Sequence, residues 1–285
     1  MPETAPSLLL LIPAYNEEDR IGPVLRAYAG YFRKNYRGKI QFVVVLNGCR
    51  DNTIGVVQQA AAEFPEISAL EFRDPIGKGG ALIEGFKLAP LAEMVGYVDA
   101  DGATAPKAFH ELVERMGVAD CVIASRWMPG AVLHQAQSSS RRFYSRAFHT
   151  LVEVLFWMRI KDTQCGAKIM RRVAMEKIHA NLRITDMSFD INLLYALKRA
   201  GFKILEVPTE WTDQLGSKVT LSKSSFAWVL SLLRLRLFYS PFYSLLRPFR
   251  PLEKWAYEKL RSPAPLSSRQ VKTALKPPPG DDPKQ

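Results

Sequence analysis

The sequence predicts an α/β fold: a mixed, mostly parallel sheet flanked by helices, with an amphipathic helical extension at its C-terminal end. Three observations carry that expectation. Short, continuously apolar runs alternate with segments of helical apolar spacing through roughly the first two-thirds of the 285 residues. Strands with no polar face belong to sheets covered on both sides, the habit of parallel sheets. Polar clusters follow the apolar runs instead of interrupting them, and in such sheets ligands collect beyond the carboxyl ends of the strands.

Taken in order, Ser7 to Ile12 is an apolar run closed by Pro13, as a central strand should be. Ile21 to Phe32 has helical spacing. Ile40 to Leu46, with Val43, Val44 and Val45 in series, is a second strand ending at Asn47-Gly48. Asp51 is placed to cap the helix that follows through Phe64. Ile67 to Phe72 is a weaker third strand, and a glycine turn then leads into a helix over Ala81 to Leu88. Val95 to Val98 is a short strand that stops at Asp99. Pro106 opens a helix to Met116, at the position where its missing N–H costs nothing, and Cys121 to Ala124 is a fifth strand. From Arg141 the alternation is less regular: Ser145 to Met158 and Met187 to Ala200 read as helices, and Lys203 to Val207 as a strand closed by Pro208. No internal repeat is evident.

Composition is that of a globular protein, with 47% hydrophobic and 24% charged residues. A net charge of +11 calls for an anionic partner: nucleic acid, anionic lipid or a phosphorylated substrate. Cys49, Cys121 and Cys165 are odd in number and far apart, which supports neither a disulfide framework nor a cysteine zinc site and suits a reducing compartment. Met1 to Ser7 lacks a basic n-region, and Leu8 to Ile12 is too short for a signal peptide. Residues 262–285 are rich in Pro, Ser and Lys and are expected to be disordered. The expected organisation is a catalytic domain over 1–221, a helical extension over 222–261 and that tail.

Phe226 to Leu246 approaches the length of a membrane span, but Arg234 and Arg236 fall mid-segment and Pro241 breaks the helix. Aromatic and aliphatic side chains with arginines as the sole charges are the composition of a helix lying in the membrane interface. Packing on the core and an oligomer contact remain open alternatives.

The strongest local signal is Asp99-Ala100-Asp101. Side chains two apart at a strand end point the same way, so both carboxylates reach one site, and a divalent cation relieves their repulsion. Mg²⁺ or Mn²⁺, held by a pair of carboxylates plus substrate phosphates, fits so few protein ligands. The plainer alternative is a solvated turn. Gly77-Lys78-Gly79-Gly80 lacks Walker A spacing but can bring backbone N–H groups and a cation near phosphate or ribose.

The ordered series Ile12-Pro13-Ala14-Tyr15-Asn16-Glu17, Asn47-Gly48-Cys49-Arg50-Asp51-Asn52-Thr53, Gly77-Lys78-Gly79-Gly80-Ala81 and Asp99-Ala100-Asp101-Gly102 resembles glycosyltransferase family 2. Asp162-Thr163-Gln164-Cys165-Gly166-Ala167-Lys168 and Ser188-Phe189-Asp190-Ile191 resemble the dolichyl- and polyprenyl-phosphate glucosyl- and mannosyltransferases of that family. The resemblance spans about Leu8 to Val219. It implies a GT-A, Rossmann-like fold in which Pro13, Tyr15 and Glu17 line the nucleotide pocket, with Asn47 at the base and Lys78 and Gly79 near the base or ribose. Asp99 and Asp101 would meet the diphosphate through the metal. Arg126 would lie near the acceptor phosphate, Gln164 would face sugar or acceptor, Asp190 would lie near the reaction centre, and Lys218 of Ser217-Lys218-Val219 would close on the diphosphate. One departure stands out: where the family usually has an aspartate to read the base, this chain has Asn47, both donor and acceptor.

The resemblance implies an inverting transfer from a nucleoside-diphosphate sugar to a polyprenyl phosphate, by an enzyme peripheral to the cytoplasmic face of a membrane. With a phosphate acceptor Asp190 orients its partners; with a hydroxyl acceptor it becomes the candidate base. Plainer roles stand beside these: Asp190 as a helix cap, Arg126, Arg141, Arg142 and Arg146 as a solvated basic face, His134 as a surface histidine, Cys165 as a packed thiol. A family-2 enzyme with a soluble or glycan acceptor, a nucleotidyltransferase and a nucleic-acid-binding protein are the competing classes. The last is disfavoured because the basic residues do not interleave with aromatics in a recognition face.

Overall fold

The computed structural model describes residues 5–133, 139–186, 188–212 and 221–240, with the backbone alone for 139–145, 147 and 221–228. The chain runs β1 (Leu8–Ala14), α1 (Ile21–Asn35), β2 (Ile40–Asn47), α2 (Thr53–Glu63), β3 (Ile67–Phe72), α3 (Gly77–Gly85), β4 (Met94–Val98), α4 (Pro106–Glu114), β5 (Cys121–Ser125), β6 (Val132–Leu133) and α5 (Ser139–Phe156). It continues through β7 (Ala167–Arg171), α6 (Arg172–Ile178), α7 (Phe189–Arg199), β8 (Ile204–Pro208), β9 (Glu210–Trp211) and α8 (Leu221–Phe238).

Seven strands form the main sheet in the order β3-β2-β1-β4-β7-β5-β8. β1, β2, β3 and β4 are mutually parallel where they pair, as are β5 and β8, while β7 runs antiparallel to both β4 and β5. The predicted mostly parallel sheet is therefore present, with one reversed strand the sequence pattern did not disclose. Alternate residues of the central strands feed separate cores on the two faces. Leu9, Leu11, Val43, Val45 and Tyr97 join α3, α6 and α7 on one side. Leu8, Leu10, Ile12, Phe42 and Val44 join α1, α2 and α4 on the other. Burial on both sides is why these strands read as unbroken apolar runs. β3 read weakly because it is the edge strand, where only Ile67 is fully covered.

The strand order reverses between β1, whose successor β2 lies to one side, and β4, which lies to the other. Pairing of β1 with β4 ends at Leu11 opposite Tyr97, so Ile12, Pro13 and Ala14 run on beside β2 alone. Pro13 stands where no N–H is needed on the β4 side. A reversal of this kind is where open α/β sheets take ligands.

α8 is built into the domain: Ser231, Leu232 and Leu235 are buried, the two leucines in the same core as α5 and α7. Ser231 Oγ donates to Asp186 Oδ2 at 2.8 Å. Leu233 and Leu237 on its other side are exposed. No helix among the described residues is long and apolar enough to cross a membrane. The remainder of the predicted extension and the predicted tail, residues 241–285, lie outside the described residues.

Candidate active site

Three loops meet at the carboxyl ends of β1, β2 and β4. Asn16 turns the first with a φ of 54°, a left-handed conformation asparagine tolerates, and its Oδ1 accepts from Arg50 N at 2.9 Å. Glu17 N donates to Thr53 Oγ1 at 2.8 Å and Asn52 N donates to Glu18 Oε2 at 2.7 Å, so the first two loops form one unit. Asp51, expected to cap α2, stands one position before the N-cap residue Asn52; it accepts from Thr53 N, the first residue of the helix, and from Glu18 N, and so ties the loops together. Tyr28 OH, from α1, donates to Thr104 O at 2.9 Å and steadies the third loop.

β4 delivers Tyr97, Asp99 and Asp101 in alternation. Tyr97 lies opposite Lys168 of β7, so their side chains share a sheet face with Asp99. Lys78, at the start of α3, has its Nζ 2.6 Å from Asp99 Oδ1 and 3.8 Å from Asp190 Oδ2. Asp190, in the first turn of α7, is buried; its Oδ1 accepts from Lys168 Nζ at 2.6 Å and from Tyr97 OH. Lys168, which is wholly buried, also donates to Cys165 O at 2.6 Å.

Burial alone would raise the Asp190 carboxyl, but Lys168 and Lys78 outweigh it and hold the group below its ordinary value. Burial alone would lower Lys78, but Asp99 and Asp190 overcome it and keep the ammonium charged. The Asp101 carboxyl is pushed up by burial and then by the charge of Asp99. Two carboxylates close enough to disturb one another, with three carboxylates (Asp99, Asp101, Asp190) facing two ammonium groups (Lys78, Lys168), leave a negative charge for a cation to match. Asp101 Oδ1 accepts from Ala103 N at 3.0 Å, and among the described residues its other oxygen carries no such bond. Asp99 and Asp101 therefore fit a hard divalent cation by charge and donor type.

Gly166 fixes the position of Asp99. Its carbonyl accepts from Asp99 N at 3.0 Å, and a Cβ there would fall 2.0 Å from Asp99 Oδ2. Gly79 is also required for close approach: its N donates to Thr185 O at 2.9 Å, and a Cβ would meet Ile184 O at 2.5 Å. Gly79 thus packs α3 against the segment before α7, which sets Lys78 beside the carboxylates.

Tyr15 is exposed beyond β1, and Glu17 is held by Arg20 through a two-pronged contact of 2.6 and 2.7 Å. Asn47 is buried at the end of β2 with its Oδ1 accepting from Ile76 N at 2.7 Å, so this oxygen positions the approach to α3. Arg126 closes its fork on Asp162 through Nε at 2.7 Å and Nη2 at 2.9 Å and lies over the Trp211 ring. In the structure this fork anchors the loop before β7. Gln164, on that loop, has a buried Nε2 with no hydrogen-bond partner among the described residues, which a ligand oxygen would satisfy. Cys165 is a buried packed thiol, pushed up to about 12 chiefly by burial. Lys218, His134 and the side chains of Arg141 and Arg142 lie outside the described residues.

Residues 10–179 match the pattern of Glycosyl transferase family 2. The chain belongs to this family. Among family-2 relatives, it is 31% identical over 222 residues to a dolichyl-phosphate beta-glucosyltransferase of Trichomonas vaginalis, covering 74% of this chain and 66% of that one. It is 31% identical over 228 residues to the glycosyltransferase AglD of Haloferax volcanii, covering 79% of this chain and 36% of that one. It is 29% identical over 250 residues to the dolichyl-phosphate beta-glucosyltransferase of Saccharomyces cerevisiae, covering 81% and 75%. The chain thus spans just under two-thirds of the first relative and about a third of the second. The fold matches glucosyl-3-phosphoglycerate synthase of Mycobacterium tuberculosis, solved with Mn²⁺, uridine diphosphate and phosphoglyceric acid. The TM-score is 0.61 at 16% identity, over 81% of this chain and 78% of that one. The same synthase solved with Mg²⁺ and uridine diphosphate gives 0.59 at 14% identity, over 81% and 79%. These likenesses establish the GT-A architecture expected of family 2.

Within the family-2 frame, Lys168, Tyr97, Gly166 and Asp162 are the residues that sequence reasoning left without roles. The available signal was Lys168 itself, a lone lysine inside Ala167-Lys168-Ile169-Met170, which a buried strand admits only if a carboxylate waits opposite.

Proposed function

We propose that the chain is an inverting glycosyltransferase that moves a sugar from a nucleoside-diphosphate sugar onto a polyprenyl phosphate, with Mg²⁺ or Mn²⁺ held by Asp99 and Asp101. The observation that carries the acceptor class is the state of Asp190. A hydroxyl acceptor needs a base, and a carboxylate that is buried, ionised and bound by Lys168, Tyr97 and Lys78 is a poor one. A phosphate monoester arrives already anionic and needs none. The dolichyl-phosphate glucosyltransferases among the relatives support the same acceptor class.

A divalent cation bound there supplies positive charge to the departing diphosphate. Lys78 adds a cation at the same place, and Gln164 offers an unsatisfied donor to the sugar or acceptor. Pro13, Tyr15, Glu17 and Asn47 border the nucleotide side, and Lys218 is assigned to the diphosphate. Arg126 acts by fixing the Gln164 loop through Asp162. The enzyme is further read as peripheral to the cytoplasmic face of a membrane, and the exposed Leu233 and Leu237 on α8 support the attachment itself.

The test is nucleoside diphosphate release from a panel of sugar nucleotides with Mn²⁺ or Mg²⁺, in the presence of polyprenyl phosphate, the matching polyprenol, or neither. Release stimulated by the phosphate alone is expected. Equal stimulation by the polyprenol defeats the acceptor assignment. Asp101→Ala is expected to abolish transfer; metal-dependent turnover retained in that variant refutes the metal ligands.

A further inference from the structure

We propose that Lys78 is an exchangeable cation: it competes with the divalent metal for Asp99 and steps onto Asp190 when the metal binds. The inference rests on Asp99 and Asp101 as metal ligands and concerns how the metal gains access to them.

The geometry provides a lever with a fixed base and a movable tip. The base is held, because Gly79 N is bonded to Thr185 O and Gly79 packs so closely that an added Cβ would fall 2.5 Å from Ile184 O and 2.7 Å from Phe189 Cβ. The tip is an ammonium on a flexible four-carbon stem. It lies 2.6 Å from Asp99 Oδ1 and 3.8 Å from Asp190 Oδ2, so a small rotation exchanges one contact for the other. The landing point is rigid, since Lys168 and Tyr97 hold Asp190 from the far side. Asp99 is hemmed in on its other side, where its Oδ2 occupies the space a Cβ on Gly166 would need.

A metal ion approaching Asp99 therefore meets a positive charge already bound there, and like charges at such range repel strongly. The metal alone should bind weakly. A diphosphate arriving with the metal brings the negative charge that lets Lys78 and the metal coexist, so the two ligands bind with positive coupling, and the coupling is reciprocal.

The test is Mn²⁺ binding followed by the electron paramagnetic resonance signal of free Mn²⁺, with and without inorganic pyrophosphate as a base-free diphosphate. Lys78→Met is expected to bind Mn²⁺ alone about tenfold more tightly than the parent, the equivalent of ~1.4 kcal/mol, and to lose most of the enhancement by pyrophosphate. Lys78→Arg, which keeps the charge, is expected to stay close to the parent. Lys78→Gln gives the same sign as Lys78→Met and serves if the methionine variant does not reach a cooperative thermal transition. Equal or weaker Mn²⁺ binding by the neutral variants, or the same gain in Lys78→Arg, overturns the proposal. Neither sugar donor nor acceptor is present, so such a failure leaves glycosyl transfer standing. Absence of Mn²⁺ binding in every protein removes the exchange and the metal ligands together.

Discussion

Asp162 accepts both prongs of Arg126 and the Arg126 N–H, and Lys161 N and Asp162 N in turn donate to Glu206 of β8. Burial opposes its ionisation, but Arg126 prevails and holds the carboxyl below its ordinary value. For a carboxyl depressed on folding, the stabilisation is complete above the unfolded pKa of about 3.9 and fades as the pH falls through the lower folded value. Asp162→Asn is expected to cost about 3–5 kcal/mol at neutral pH, as one partner of a covered ion pair is left alone. Urea unfolding at a series of pH values should show that deficit shrinking only below about pH 4. Lys168→Met faces a similar penalty of about 3–5 kcal/mol, because Asp190 stays buried with its nearest cation gone. Equilibrium unfolding at neutral pH measures it, and a variant as stable as the parent would show that Lys78 suffices to neutralise Asp190.

At the level of elements, β7 decides how the site is assembled. Being antiparallel, it starts at the edge where β4 and β5 finish, so its approach loop brings Gln164 and Gly166 to that edge. Gly166→Ala places a methyl group against Asp99, and a displacement of about 1 Å at a reacting centre costs roughly 10²-fold in rate. The expected outcome is a comparable fall in transfer with the thermal transition kept, read from diphosphate release beside a melting curve. β7 is also where the sequence was hardest to read. Elements with one period and clear punctuation, such as β1 before Pro13 or α4 from Pro106, were visible because local preference and tertiary role agree. Ala167–Arg171 carries a buried lysine whose presence makes sense only through Asp190, more than twenty positions later in the chain, and no local period reports such a partner. Likewise Asp99 and Asp101 could be placed from strand alternation, whereas the closure of Arg126 on Asp162 needed the fold.

For the whole molecule, the question is how far the domain extends. Leu232 and Leu235 are fully covered while Leu233 and Leu237 face outward, so α8 belongs to the core along one side. Leu232→Ala is expected to cost about 2–5 kcal/mol, the range for a covered leucine. Leu237→Ser should stay within about 0.5 kcal/mol as a surface change, while lowering retention on vesicles if that side meets lipid. Urea unfolding and vesicle sedimentation separate the two effects.

β5 and β7 are hydrogen-bonded neighbours, yet the chain leaves the sheet at Arg126 and returns only at Gly166. The Arg126–Asp162 pair fastens the excursion near both of its ends, like the clasp of a purse. Loop length at either end of that interval can change without asking the sheet to change its pairing, whereas α5 within it is held in the core by Val152 and Phe156. On the proposed transferase reading, a change of acceptor is expected to be accommodated at the ends of that interval, with the strands β1 and β4 left as they are.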